Sequence, residues 1–193
     1  MTSCGKLMLL RFVIEIRRIV NCSMKIFGVG LLCLTAAFLS YSPVNAQSKK
    51  TIILVRHAEK DVSPTADKVD PPLTEIGRQR AARLVTTIKR YKPGAVYSTN
   101  FIRTRDTATP TALWRKKPLT IFDPKKLDEF VAGVMASKTK RFLIVAHNTT
   151  TPTLANMFIK EEKYKPLPES EYSKMWIIKI RNGKVKSCDV IEY

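Results

Sequence analysis

The sequence predicts an α/β domain: a three-layer sandwich with a mostly parallel central sheet, helices on both faces and a C-terminal β-hairpin addition. Three observations lead there. Short apolar runs alternate four times with helical amphipathic stretches between residue 50 and about residue 160. The first and last of those runs, Lys50–Val55 (KTIILV) and Arg141–Ala146 (RFLIVA), are apolar at successive positions rather than at every second one. That continuity marks strands covered on both sides. The tail then changes character, with two β-rich runs around Asn182-Gly183, the strongest short hairpin signal.

The N-terminus is set apart before any element is assigned. Met24-Lys25 opens a basic start, Ile26–Leu39 is an apolar run, and Val44-Asn45-Ala46 ends it with small residues where a signal peptidase reads. Residues 1–46 therefore read as an N-terminal extension plus signal peptide, with translation expected from Met24 and cleavage after Ala46. The apolar run is short for a bilayer span of about 20 residues, so an uncleaved membrane anchor is the second reading. Leu32 before Cys33 argues against lipidation, which wants a small residue there. The expected address is exported: periplasmic or extracellular. Residues 47–193 form the expected mature domain, with 29 Lys/Arg against 15 Asp/Glu, a net charge of +14. That balance favours acidic partners: a small phosphorylated substrate or an anionic envelope surface. No nucleic-acid motif and no aromatic-studded basic strand accompanies the charge, so no nucleic acid is expected. Cys188 is the one cysteine after residue 46, which excludes an internal disulfide and a cysteine-based zinc site in the mature domain.

Along the mature chain, Lys50–Val55 is the first strand. A polar loop with three prolines runs from Glu59 to Pro72. Thr74 can cap a helix in which Ala81, Leu84, Val85 and Ile88 form the inward stripe, and Pro93-Gly94 stops it. Ala95–Tyr97 is the second strand. Ser98, Thr99 and Asn100 are capping residues for a helix from about Phe101, which Pro110 should end or kink. Leu119–Phe122 is the third strand, and Asp123-Pro124 reads as an N-cap with proline at the first helical position. Leu127, Phe130, Val131 and Val134 repeat at helical spacing. After the fourth strand, Thr151-Pro152 reads as another helix start, continued by Leu154, Met157 and Phe158. Lys163–Ser173, with two prolines, reads as a surface connection.

The chain has two histidines, and their settings match. His57 and His147 each follow the carboxyl end of an apolar strand, where open α/β sheets bind ligands. Neighbouring strands would bring both imidazoles to one crevice. Arg56 adjoins His57. Arg103 falls in the first turn of a helix after the second strand, also at a carboxyl end. A guanidinium is permanently charged and donates in a fork that fits phosphate oxygens, and a helix N-terminus adds N–H donors for an anion. Arg105, two places on, reads as a solvated residue.

Leu54–Lys60 (LVRHAEK) resembles the Arg-His signature of the histidine phosphatase superfamily, also called phosphoglycerate mutase-like. Pro72–Gly77 with Arg80-Ala81 resembles its second block. Val96–Arg103 with Asp106–Ala108 resembles the segment of its second arginine, and Leu143–His147 its second histidine block. The blocks stand in family order across residues 51–160, without long insertions, as in the compact branch. The resemblance implies a phosphatase acting on a phosphomonoester or phosphoramidate. His57 would be the nucleophile, forming phosphohistidine; Arg56, Arg103 and His147 would hold the phosphoryl oxygens. A clamp of protein cations implies no metal and no cofactor. Glu59 could orient Arg56 or be a loop residue. The family's acid, which protonates the leaving oxygen, has no recognisable counterpart; Asp123, Asp128 and Glu129 are candidates by position. Ala146 stands where a glycine is usual. Without an acid, the alternative is a non-catalytic phosphate-ligand binding module of the same fold at the cell envelope.

Overall fold

The expected strands form one sheet, and its order explains why the two histidine-bearing runs are the most apolar. In the computed structural model, which describes residues 48–193, the elements are β1 (Lys49–Arg56), α1 (Glu75–Ile88), β2 (Ala95–Ser98), α2 (Ile102–Arg115), β3 (Leu119–Ile121), α3 (Leu127–Ala136), β4 (Arg141–Ala146), α4 (Thr150–Ile159), β5 (Lys174–Arg181) and β6 (Lys184–Glu192). The signal-peptide and start-site readings lie outside these residues. The strand order is β3-β2-β4-β1-β5-β6. β1 and β4 are interior and pair in parallel, with Arg56 opposite Ala146. β2 pairs in parallel with both β4 and β3, while β5 and β6 add antiparallel beyond β1. The hairpin turn puts Asn182 at φ 53° and Gly183 at φ 72°, two left-handed residues in a row, as a type I′ turn requires.

Two apolar layers hold helices to the two faces. On one face Leu84 and Ile88 of α1 and Ala108 and Ala112 of α2 pack on Ile53, Val55, Leu143 and Val145. On the other, Val134 of α3 and Leu154 and Phe158 of α4 pack on Ile52, Leu54, Phe142 and Ile144. Each such fully buried Leu or Ile contributes about 1.5–3 kcal/mol. The N-terminus of α1 is tied to the His57 segment. Thr74 caps α1 by accepting from Gly77 N, and Thr74 N donates to Glu59 O at 2.9 Å. A Cβ at Gly77 would overlap the Glu59 carbonyl oxygen, so only glycine allows this approach.

Local sequence signals failed at four places. α2 runs through Pro110 to Arg115, because Thr107, Ala108, Thr111 and Ala112 are buried on either side of it. Proline removes one helical hydrogen bond, and the packing outweighs that loss. Ser98, Thr99 and Asn100 do not cap α2; the cap comes from Asp70, whose carboxylate accepts Ile102 N at 2.8 and 3.1 Å. Asp123-Pro124 forms a turn in which Asp123 Oδ1 accepts Lys125 N, and α3 starts only at Leu127. Thr151 lies within α4, not at its cap, and its hydroxyl donates to Val55 O at 3.3 Å.

Candidate active site

Because β1 and β4 are neighbours in register, their next residues are neighbours too. His57 N donates to Ala146 O at 2.9 Å, and the His57 and His147 rings lie 5.6 Å apart, edge to face. They share a pocket of about 300 Å³ at the carboxyl ends of the strands with Arg56, Arg103, Lys60, Phe101, Pro124, Asn148 and Glu169. That volume suits a phosphoryl group with a small leaving group. All four residues expected there from the sequence, His57, Arg56, Arg103 and His147, line it. Asp123, Asp128, Glu129 and Arg105 do not. Pro124 reaches the wall instead, and Arg105 bonds Asn100 Oδ1 at 2.7 Å.

The His57 ring is buried, and its Nδ1 lies 2.8 Å from Ala58 O. A carbonyl only accepts, so Nδ1 carries the proton and Nε2 keeps its lone pair. Burial pushes the His57 pKa down to about 3, with Arg56, His147 and Arg103 adding to the fall against the Ala58 bond. The ring is neutral near pH 7. His147 is held at about 4, first by burial, then by Arg103 and Arg56. Its Nε2 meets Thr99 Oγ1 at 2.9 Å. That hydroxyl donates to Thr104 Oγ1, whose own hydrogen goes to the Thr99 or Phe101 carbonyl. With Thr99's single hydrogen spent, Nε2–H of His147 is the donor, and Nδ1 accepts in the neutral ring and donates once protonated.

Arg56 is 1% exposed. Its Nη1 donates to the carbonyls of Pro168, Glu169 and Glu171 at 2.9–3.0 Å, and Nη2 to Glu169 Oε2 at 2.8 Å. Tyr172 stacks on the guanidinium at 4.2 Å. Residues 163–173, read from sequence as a surface connection, thus form a wall of the site, anchored by buried Leu167, whose N donates to Asn148 O. Arg103 lies over Phe101 at 4.4 Å and 3.4 Å from Asp70. Burial lowers its pKa, with Asp70 opposing. The N–H of Ile102, expected to be open to an anion ligand, is occupied by Asp70. Nε of Arg56 and Nε of Arg103 are both buried without a partner. Two orphaned cationic donors beside one pocket are costly unless an anion answers them.

Glu59 takes the loop role and does not orient Arg56. Its carboxylate receives Arg80 Nε and Nη2 at 2.7–3.0 Å. The residue that does hold Arg56 is Glu169, which also meets Lys60 at 3.5 Å and Asn148 Nδ2 at 2.9 Å. It is the one carboxylate among the described residues lining the pocket. Burial works to raise its pKa, yet Arg56 and Lys60 together hold it below the ordinary carboxylate range. Glu169, Thr99, Asp70 and Tyr172 had no recognisable sequence signal. Each lies in a loop and reaches its partner across a tertiary contact.

Residues 52–151 match the family model described as histidine phosphatase superfamily, branch 1. No curated protein matches the sequence. Among solved structures, the alpha-ribazole phosphatase from Shigella flexneri aligns with TM-score 0.59 at 16% identity, over 74% of this chain and 96% of its own. A mycobacterial glucosyl-3-phosphoglycerate phosphatase with inorganic phosphate gives 0.59 at 14% identity, over 75% and 97%. The protein histidine phosphatase SixA complexed with tungstate gives 0.59 at 14%, over 74% and 96%. These likenesses show the fold, and the family model covers more than half of the chain, including both strands that lead into the histidines: the chain belongs to the histidine phosphatase superfamily, branch 1.

Proposed function

We propose that this protein is a phosphatase that hydrolyses a small phosphomonoester or phosphoramidate through a phosphohistidine on His57. The observation that carries the reading is a free imidazole lone pair in a pocket lined by Arg56 and Arg103, whose buried Nε donors have no partner. Nε2 of His57 attacks phosphorus in line, and the bond to the leaving oxygen or nitrogen breaks. Arg56 and Arg103 receive the phosphoryl oxygens on guanidinium donors. The substrate's negative charge raises the proton affinity of His147, whose Nδ1–H then joins the clamp. Water next attacks phosphorus from the vacated side, releases phosphate and restores neutral His57. The clamp consists of protein cations, so the reaction is proposed to need no metal.

Glu169, held ionised by Arg56 and Lys60, is a weak source of a leaving-group proton. Substrates whose leaving group does not depend on a protein acid, a phosphoramidate protonated on nitrogen from solvent or an anomeric phosphate, therefore suit the site best. With residues 24–46 read as a signal peptide, the proposed place of work is outside the cytoplasm, on a chain starting at Gln47.

The test is hydrolysis of 4-nitrophenyl phosphate with and without a chelator, beside His57→Ala. Chelator-resistant turnover that falls at least about a thousandfold in the variant is expected. An acid-labile, base-stable phosphoenzyme should form in the wild type alone. Phosphate binding without turnover by either protein would replace this reading with the binding module.

A further inference from the structure

The charge of the domain is sorted along the strand direction. The end opposite the pocket consists of residues 48–51, 89–95, 115–119, 137–141 and 181–186, which together hold fourteen Lys or Arg and no Asp or Glu. Lys49, Lys89, Lys92, Lys117, Lys138 and Lys140 among them are exposed. The pocket end carries Glu59, Asp70, Glu75, Asp123, Glu169 and Glu171. Acid returns near the basic end only at Glu161 and Glu162, past α4 on the other face, beside Lys160 and Lys163.

The five basic segments are joined into one platform by hydrogen bonds. Gly94 N donates to Arg141 O, Thr51 N to Lys140 O and Asn182 N to Ser48 O, each at 2.8 Å. Arg115 Nε donates to Pro93 O at 2.8 Å. Helix dipoles account for part of the pattern, since cations are favoured at the C-termini of α1 and α2. They do not account for 48–51 or 181–186, which begin or end strands, and account only in part for 137–141, which links the C-terminus of α3 to β4. Solubility does not require the sorting either, because interspersed charge serves it as well.

We infer that this basic end is a docking surface for an anionic phospholipid bilayer, which leaves the pocket facing away from the membrane. Charge complementarity is one argument: cations near an anionic surface each strengthen attachment by about fivefold. The second is where the chain enters. Ser48 stands at this end, nine residues after the apolar run that closes at Leu39. On the signal-peptide reading, this end of the domain follows the exported apolar run most closely in sequence. Nucleic acid is the less favoured polyanion, because Tyr91 is the one aromatic in the five segments and its hydroxyl is held by Arg90 at 2.7 Å. Among the described residues no helix is long and apolar enough to cross a membrane, so attachment by the domain is peripheral. The inference is independent of the chemistry assigned to His57.

The test is co-sedimentation of the full chain with vesicles of phosphatidylcholine alone or with about 30 mol% phosphatidylglycerol. The wild type is compared with K89E/K117E/K138E/K140E, which carries the same N-terminal segment. Binding to the anionic vesicles should exceed that to neutral ones at least tenfold and vanish by about 0.5 M salt. It should fall at least about a hundredfold in the variant. Aryl phosphate hydrolysis by the variant should match wild type, or, if neither is active, its circular dichroism melt should match within a few degrees. Equal binding to both lipids, or binding that the four reversals leave unchanged, overturns the inference. So does displacement from the vesicles by DNA at equal phosphate concentration, which would make the face a nucleic-acid surface.

Discussion

Arg56→Lys separates charge from shape at the centre of the site. The guanidinium braces residues 168–171 through Nη1 and Nη2, and the same group is proposed to meet the ligand. An ammonium has one nitrogen and cannot do both. It can keep two of the loop acceptors and leave the remaining carbonyl and the Glu169 carboxylate without Arg56. Charge-assisted bonds of this kind contribute about 1.5–3 kcal/mol each, so the loss should be about 3 kcal/mol, allowing for partial rescue by Lys60 and water. Tyr172 also loses its flat partner, for which the ammonium is a poorer fit. For a domain of this size about 3 kcal/mol lowers Tm by about 10 °C. Thermal melts with and without inorganic phosphate are the assay. The variant should melt about 10 °C lower, and phosphate should raise its Tm by less than half the wild-type shift. A variant that melts within 2 °C of wild type and keeps the full phosphate response would refute the claim that the fork both fixes the loop and meets the ligand.

Two further predictions concern the imidazoles. His57 and His147 titrate at about 3 and about 4 in the folded chain. Unfolded histidine titrates near 6.5, so between these values the unfolded chain binds more protons and stability falls as pH falls. The loss should be about 5 kcal/mol by pH 4.5 and nearly absent above pH 7, read from urea melts. Sulfate, an anion whose charge is constant over this range, should offset part of it by favouring protonated His147; a melt insensitive to sulfate at pH 5 contradicts the clamp. Thr99→Val keeps the shape but removes the acceptor of His147 Nε2–H. With the ring no longer held in one orientation, kcat on 4-nitrophenyl phosphate should drop about tenfold with little change in KM. Unchanged kcat would assign Thr99 a packing role only.

Strand and helix identity was legible because it rests on periodicity, which is local. The runs Ile52–Val55 and Phe142–Ala146 announce interior strands, and the spacing of Ala81, Leu84 and Ile88 announces a buried helical stripe. The Asn182-Gly183 turn was equally plain, since left-handed backbone is a property of those two residues. The pairing of His57 with His147 was legible for a related reason: parallel neighbours place their carboxyl ends at one crevice. Tertiary contact decided what local rules misjudged. Pro110 is tolerated because its neighbours are buried, and α2 is capped by a carboxylate 32 residues earlier in the chain.

The chemistry divides the same way. That His57, Arg56, Arg103 and His147 line one pocket followed from residue type and position at strand ends. How each is held did not. Glu169 braces Arg56 from 113 positions away, and Thr99 meets His147 across 48. A loop carboxylate or hydroxyl carries no sequence mark of its partner, because that pairing exists only after the sheet has brought distant loops together. The basic platform belongs to the same class: its five segments are unremarkable one by one, and become a single charged surface only when six strands align their ends.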